Sequence, residues 1–489
     1  MSRRRTLAAA TLAVAVLTSC ARPAPPPRPA PRVSATPIAA AAHAPAWTAA
    51  EMRALQAKLS AALGPSALAS SGIAIVDAQG RPLFLRRERT PFTPASTFKV
   101  LVGATALEML GPQFRFPTTF ESLAEPQDGT LHGDVYLVGT GDPTLTRDDL
   151  RAGVAALART GVRSVDGALV ADASVFAGAE VNHDWDADDL QYGYAAGTSA
   201  LALDQGTVEF HLEPTSVGAP VRIQVVPPSD AVRVRGGLVT GYSTMLTIQR
   251  DPSRNDFTFD GHVSPYAEQS FWRPVVGLPQ YTAEVARAMM RRRGITIEGG
   301  VKTGLAPLAP SVLWRHRSPP LGTIVREMFF ESNNHFAEQL LRAVGATRGV
   351  GTEANGALVE RAELDRVGAP SAGLHVVDGS GLAPTDRIAP LTLATLLARV
   401  AAERIGPAFV SALPRVGIEG TVRRRGVTDA LGRARAKSGH IKNVNALTGY
   451  VDTRRHGRVA FAILVNDRRA DDGPVDQGIS DALDVLARS

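Results

Sequence analysis

A serine and a lysine three residues apart, Ser96 and Lys99, stand at the head of an apolar run from Val100 to Leu110. Pro94 and the small residues before Ser96 mark a helix entry. On a helix, positions i and i+3 share one face, so the lysine Nζ can sit beside the serine Oγ. A serine hydroxyl is a poor nucleophile until a base takes its proton. A buried lysine can be that base because desolvation lowers its pKa, whereas arginine stays protonated. Only five of the 53 basic residues are lysines: Lys58, Lys99, Lys302, Lys437 and Lys442. Where arginine is the default cation, a lysine at position 99 needs a chemical reason. Taken alone, the pair also describes a surface serine and lysine on an ordinary helix, so the rest of the chain must decide.

The 489 residues are two to four domains' worth of chain. Six arginines precede the first acidic residue, Glu51, and without them 47 basic residues face 47 acidic ones. The folded part is thus formally neutral, which argues against nucleic acid as a partner. Residues 1–19 read as an export signal, with Arg3, Arg4 and Arg5 ahead of an apolar stretch too short to span a bilayer. The stretch ends Leu17-Thr-Ser-Cys20, which resembles a bacterial lipobox and makes Cys20, the only cysteine, a lipidation site. Residues 20–46 are rich in proline and alanine and read as a semi-rigid tether.

Further on, Trp47 to Leu63 has a helical pattern, and Gly72–Val76 and Arg81–Glu88 flank a turn as two strands. From about residue 116 strands and turns dominate: Gly133–Val138, Asp166–Val175, Thr207–Leu212, Val221–Val226 and Ala231–Val239. Helices are expected over Asp148–Gly161 and Tyr281–Arg293, with Ile295–Val301 as the last strand of this β-rich region. Helical patterns return at Leu321–Phe330, Phe336–Val344 and Gly478–Ala487, and Val444–Val451 and Val459–Val465 read as strands.

Two more short motifs follow Ser96 and Lys99 in order: Ser332-x-Asn334 between two helices, and Lys437-Ser438-Gly439 leading into a hairpin. Together they are the motif set of penicillin-recognising serine enzymes. Each has a physical role. Ser96 attacks a carbonyl carbon and Lys99 takes its proton, which Ser332 passes to the leaving amine. Asn334 holds Lys99 and the substrate amide. Lys437 and Ser438 bind a substrate carboxylate, and Gly439 lets the strand backbone approach without a Cβ in the way. The N–H groups of Ser96 and His440 form an oxyanion hole. Ser332 and Asn334 also suit a helix N-cap ahead of Phe336. Lys302-Thr303-Gly304 is K-T-G, closer to the usual spelling than Lys437-Ser438-Gly439, but it precedes Ser332 and sits at a loop boundary, so Lys437 is preferred. Asp378-Gly379-Ser380-Gly381 reads as a tight turn. The histidines are scattered, no metal-ligand cluster is present, and no cofactor is implied.

The chain resembles the D-alanyl-D-alanine carboxypeptidase/endopeptidase family of class C low-molecular-mass penicillin-binding proteins, peptidase family S13. The resemblance runs from about residue 50 to the C-terminus. It includes Gly133-Asp-Val-Tyr-Leu-Val-Gly-Thr-Gly-Asp-Pro-Thr-Leu145, Leu190-Gln-Tyr-Gly-Tyr194, Asp378-Gly-Ser-Gly-Leu382 and Gly417-Ile-Glu-Gly-Thr421. It implies an α/β fold: a β-lactamase/transpeptidase-like domain, an antiparallel sheet flanked by helices, from residues 47–115 and 306–489. Residues 116–205 and 256–305 are expected to form an inserted domain, with 206–255 nested inside it. Peptidoglycan stem peptides are the implied substrates, β-lactams the covalent inhibitors, and the envelope outside the cytoplasm the location. Two positions depart from the family pattern: Ala383-Pro384 follows Asp378–Leu382 where Ser-Arg is usual, and His440 follows the third motif where Ser or Thr is usual. Lys442 is expected to replace the missing arginine toward a stem-peptide carboxylate, and Asp172 to accept the side-chain ammonium. A serine β-lactamase and a catalytically weak envelope-binding lipoprotein share these motifs and remain the rival readings.

Overall fold

The first and last strands of the folded chain pair with each other, and that pairing sets the architecture. A computed structural model describes residues 45–64, 68–266, 269–466 and 472–489. The expected export signal, Cys20 and the expected tether as far as residue 44 lie outside the described residues. Residues Pro45–Ser489 form one compact unit.

Its main sheet is antiparallel, in the order Ala434–Ile441, Val444–Asp452, Arg458–Val465, Ser71–Asp77, Pro82–Arg86. Ser71 pairs with Val465 and Asp77 with Val459, so the two ends of the chain close on each other in the middle of the sheet. Side chains alternate across a strand, and here both faces are covered. Ile73, Ile75, Phe461 and Ile463 pack under the helices Ala49–Ala62 and Asp472–Arg488. Ala74, Val76, Ala462 and Leu464 face a second helical layer, which includes Lys99–Leu110 and Pro390–Ala402. The first of these is buried from Lys99 to Leu107. A helix with no polar face belongs inside the molecule, and the motif lysine goes inside with it.

The expected insertion lies between Leu110 and Leu321. One sheet there has the order Val301–Thr303, Leu169–Asp172, Val135–Gly139, Pro117–Ser122, Ser311–Arg317. Helices Arg147–Arg159 and Leu278–Arg292 share its core through Leu150, Val154, Tyr281 and Val285. Strand pairing draws the boundaries differently from the sequence pattern. Ser311–Arg317, placed by sequence in the catalytic segment beginning at 306, pairs with Pro117–Ser122 and belongs to the inserted sheet. Strand pairing also crosses the expected edge at 255. Asp256–Val263 pairs with Met245–Arg250, and Gln269–Pro274 pairs with Thr207–Glu213. The sequence pattern does not single out Met245–Arg250, Asp256–Val263, Gln269–Pro274 or Ser311–Arg317 as strands, and a local pattern names no strand's partner, so these edges are invisible locally. The single strand expected over 295–301 is two, Thr296–Ile297 and Val301–Thr303, broken where Gly300 turns to φ +72°.

Candidate active site

Ser96 sits in a 3₁₀ turn, Ala95–Phe98, that feeds directly into the helix beginning at Lys99. Ala95 has φ +47°, a left-handed conformation unusual without glycine. Such strain persists only where the surroundings enforce it. Here two glycines let the surroundings close in. A Cβ on Gly381 would lie 2.0 Å from the Ala95 carbonyl oxygen, and one on Gly439 would lie 2.7 Å from that of Pro94. The backbone that Gly439 admits is therefore that of the Ser96 turn itself.

The fully buried Lys99 has three partners. Its Nζ lies 2.8 Å from Ser96 Oγ, 2.7 Å from Asn334 Oδ1 and 2.7 Å from the Ser380 carbonyl oxygen. An ammonium has three donors, and all three are taken. A neutral amine has two N–H bonds and one lone pair. The amide and peptide oxygens can only accept, so the lone pair is left facing the serine hydroxyl. Burial, the largest influence, lowers the Lys99 pKa from 10.5 to about 7, and Asp378, Glu338 and Asp386 pull against it. The geometry and the proton affinity both suit a base for Ser96 near neutral pH.

The Ser332–Asn334 segment joins helices Leu321–Glu331 and Asn334–Ala346. The helix N-cap is neither motif residue but Asn333, whose side chain accepts from the Phe336 N–H. That frees Asn334 to turn to Lys99 and to donate to the Tyr194 carbonyl, 2.9 Å away. Ser332, left-handed at φ 57°, ends the first helix and lines the cleft. The insertion reaches this segment again through Gln205, which accepts from Asn333, and Ser199, whose carbonyl accepts from Gln339.

Lys437, Ser438 and Gly439 lie on the edge strand Ala434–Ile441. A cleft of about 440 Å³ brings Ser96, Ser332, Ser438, Gly439 and His440 together with Thr421. Ser438 Oγ and Thr421 Oγ1 are 2.7 Å apart. Lys437 is fully buried behind that lining and donates to the Ser438 carbonyl at 2.6 Å. Burial, then the neighbouring Lys99 ammonium, holds its pKa well below the usual lysine range.

Three residues weighed in the sequence lie elsewhere. Lys302 is exposed on the inserted strand Val301–Thr303 and pairs with Asp134 at 2.9 Å. Lys442 is exposed in the turn between Ile441 and Val444 and does not line the cleft. Asp172 is buried, and its oxygens accept from the Ser174 and Ala306 backbone N–H groups. Conversely, Ser380, Thr421 and Tyr194 meet the motif residues although sequence reasoning gave them no role. All three lie in stretches that carried the family resemblance, which was the available signal. Among the described residues, no group of three or more His, Cys, Asp or Glu side chains is arranged to hold a metal ion.

An antiparallel sheet between helical layers, with a serine at the start of a buried helix and a lysine beside it, defines a penicillin-recognising type of serine acyltransferase. The chain belongs to the D-Ala-D-Ala carboxypeptidase 3 (S13) family, which it matches over residues 55–489. It is 32% identical over 444 residues to a D-alanyl-D-alanine carboxypeptidase of Actinomadura sp. (strain R39), covering 85% of this chain and 81% of that one. To the D-alanyl-D-alanine carboxypeptidase DacB of Haemophilus influenzae it is 28% identical over 385 residues, 76% of this chain and 80% of the relative. The crystal structure of penicillin binding protein 4 from Haemophilus influenzae superposes with a TM-score of 0.78 at 25% identity, covering 88% of this chain and 99% of that one. The protein is thus a serine-type D-Ala-D-Ala peptidase with a penicillin-binding-protein fold.

Proposed function

We propose that Ser96 is the nucleophile and that the enzyme cuts the terminal D-Ala-D-Ala bond of peptidoglycan stem peptides through an ester on that serine. The observation that carries this is the three-way placement of the Lys99 Nζ, which leaves one lone pair for Ser96. Ser96 Oγ bonds to the carbonyl carbon as its proton passes to Lys99. Ser332 relays a proton to the departing amine, the C–N bond breaks, and water later hydrolyses the ester. The register supports the oxyanion role of His440. Ile441 and Val444 close a two-residue hairpin, so the next residue, His440, turns its N–H away from the partner strand toward the open edge. The Ser438 and Thr421 hydroxyls suit the substrate's terminal carboxylate. Lys437 supports them from behind. Lys442 and Asp172 are not part of this reading, because one stands outside the cleft and the other is committed to two backbone amides.

A β-lactam presents the same carbonyl and would acylate Ser96 in the same way; a structure of the Haemophilus influenzae protein is complexed with a β-lactam. Ser96→Ala should abolish labelling by fluorescent penicillin, and a labelled peptide mapping elsewhere would overturn the assignment. Digestion of purified muropeptides then separates carboxypeptidase action, loss of one D-alanine, from endopeptidase action, splitting of cross-linked dimers. Action outside the cytoplasm, with lipid anchoring at Cys20, completes the proposal; none of the described helices is long and apolar enough to cross a membrane. Cys20→Ala should release the protein from membranes with its activity in vitro intact, since a lipid contributes about 0.8 kcal/mol per buried CH₂.

A further inference from the structure

The loop whose Ser380 carbonyl meets Lys99 is folded around a buried acid. Glu338 lies one turn beyond Asn334 on the same helix, and both face Lys99. It is 1% exposed. Its Oε1 accepts from the Ser380 N–H at 2.8 Å, and its Oε2 from the Gly379 N–H at 3.0 Å. The same residue, Ser380, thus donates its N–H to Glu338 and offers its C=O to Lys99. Asp378 braces the loop from the other side, accepting from Trp185 Nε1 and from the N–H groups of Gly381 and Ala383. Burying a carboxylate is costly unless its hydrogen bonds are replaced. An apolar residue would leave the Gly379 and Ser380 N–H groups without an acceptor, so the acid is tied to the backbone of this loop.

We propose that Glu338 is a positioning residue for acylation, holding the 378–382 loop so that the Ser380 carbonyl fixes the direction of the Lys99 lone pair. This rests on the reading of Ser96 and Lys99 as the acylating pair. One residue, Ser380, separates the Glu338 carboxyl from the Lys99 amine. Burial, then Asp378, pushes the pKa of Glu338 up to about 8, so it acts on Lys99 through the loop it holds. The other ionisable groups around Glu338 are His335 and Arg342 on its own helix, Asp378 and Asp386 from the loop region, Glu353 and Glu360 from helix Glu353–Val367, and Lys437 beyond Lys99. Glu360 is fully buried with both oxygens unpartnered, and burial raises its pKa well above the usual carboxylate range. His335 is held neutral by burial, with its pKa lowered to about 4. Glu338 is the acid that accepts from the N–H of Ser380, the residue whose carbonyl meets Lys99.

The test is the rate constant for acylation of the full chain by fluorescent penicillin, measured across pH, together with the melting temperature. Glu338→Gln keeps the shape but loses the charge and sets an NH₂ against a backbone N–H. Its rate should fall at least tenfold, on the order expected for a displaced base. Its acidic limb should move to lower pH, because the Lys99 ammonium loses the acceptor that the loop held against it. Glu338→Asp keeps the carboxyl but is too short to span both amides; its rate should fall and its acidic limb should move the same way. A Gln variant that acylates at the wild-type rate would overturn the proposal. So would a slow Gln variant whose pH profile does not move. Should Gln not fold, an Asp variant with the wild-type rate overturns it equally. A wild-type protein that never acylates would instead sink the underlying reading of Ser96.

Discussion

At Lys99 a charged side chain is wholly buried, and its three partners come from three separate segments: Ser96, Asn334 and Ser380. Its usefulness depends on losing the proton. With the pKa lowered to about 7, mainly by burial, the free base predominates above that pH and is titrated away below it. The acylation rate should therefore fall as pH drops through about 7, tenfold per pH unit well below it. A profile flat down to pH 5 would contradict a lysine base. Lys99→Arg should be nearly as damaging as Lys99→Ala, since arginine keeps its charge and cannot accept a proton. Substantial hydrolysis by the arginine variant would reduce Lys99 to an electrostatic partner.

Among the elements, the helix pair around Ser332 shows how a cap and a catalytic motif divide their labour. Asn333→Ala removes the N-cap and should cost about 1 kcal/mol of stability, read as a lower melting temperature, with acylation retained. Asn334→Ala should slow acylation on the order of a hundredfold with a smaller effect on melting. Interchanged results would mean the cap had been misassigned. The turn at 378–382 makes the complementary case. Gly381 has φ +75°, and an added Cβ would strike the Ala95 carbonyl at 2.0 Å. Gly381→Ala should cost about 2–3 kcal/mol and slow acylation as well, because the carbonyl held by Lys99 shifts with the turn. The same loop shows the limit of reading motifs locally. As a sequence it is a tight turn, and its second use exists only because the helix carrying Glu338 lies beneath it.

Over the whole molecule, the two K-T-G-like motifs are told apart by where their strands go. Lys302 lies on the inserted sheet against Asp134, and Lys437 lies beside the nucleophile turn. Lys302→Ala should leave activity and melting close to wild type, whereas Lys437→Ala should impair both peptide turnover and penicillin labelling; the reverse would move the site to the inserted sheet. The sequence alone determined the family motifs in their order and most of the regular elements, because motif spacing and hydrophobic period are properties of near neighbours. Helices Glu353–Val367, Pro390–Ala402 and Gly406–Ala412 escaped it. The first is weakly amphipathic and the second is almost wholly buried, so neither shows a clean two-faced period. Tertiary structure alone decided which strands close each sheet, which acids surround Lys99, and that Asn333 caps its helix so that Asn334 is free. Those depend on contacts between segments as far apart as Ser71 and Val465, and on burial, which changes what a lysine or a glutamate is chemically. No local window of sequence records either.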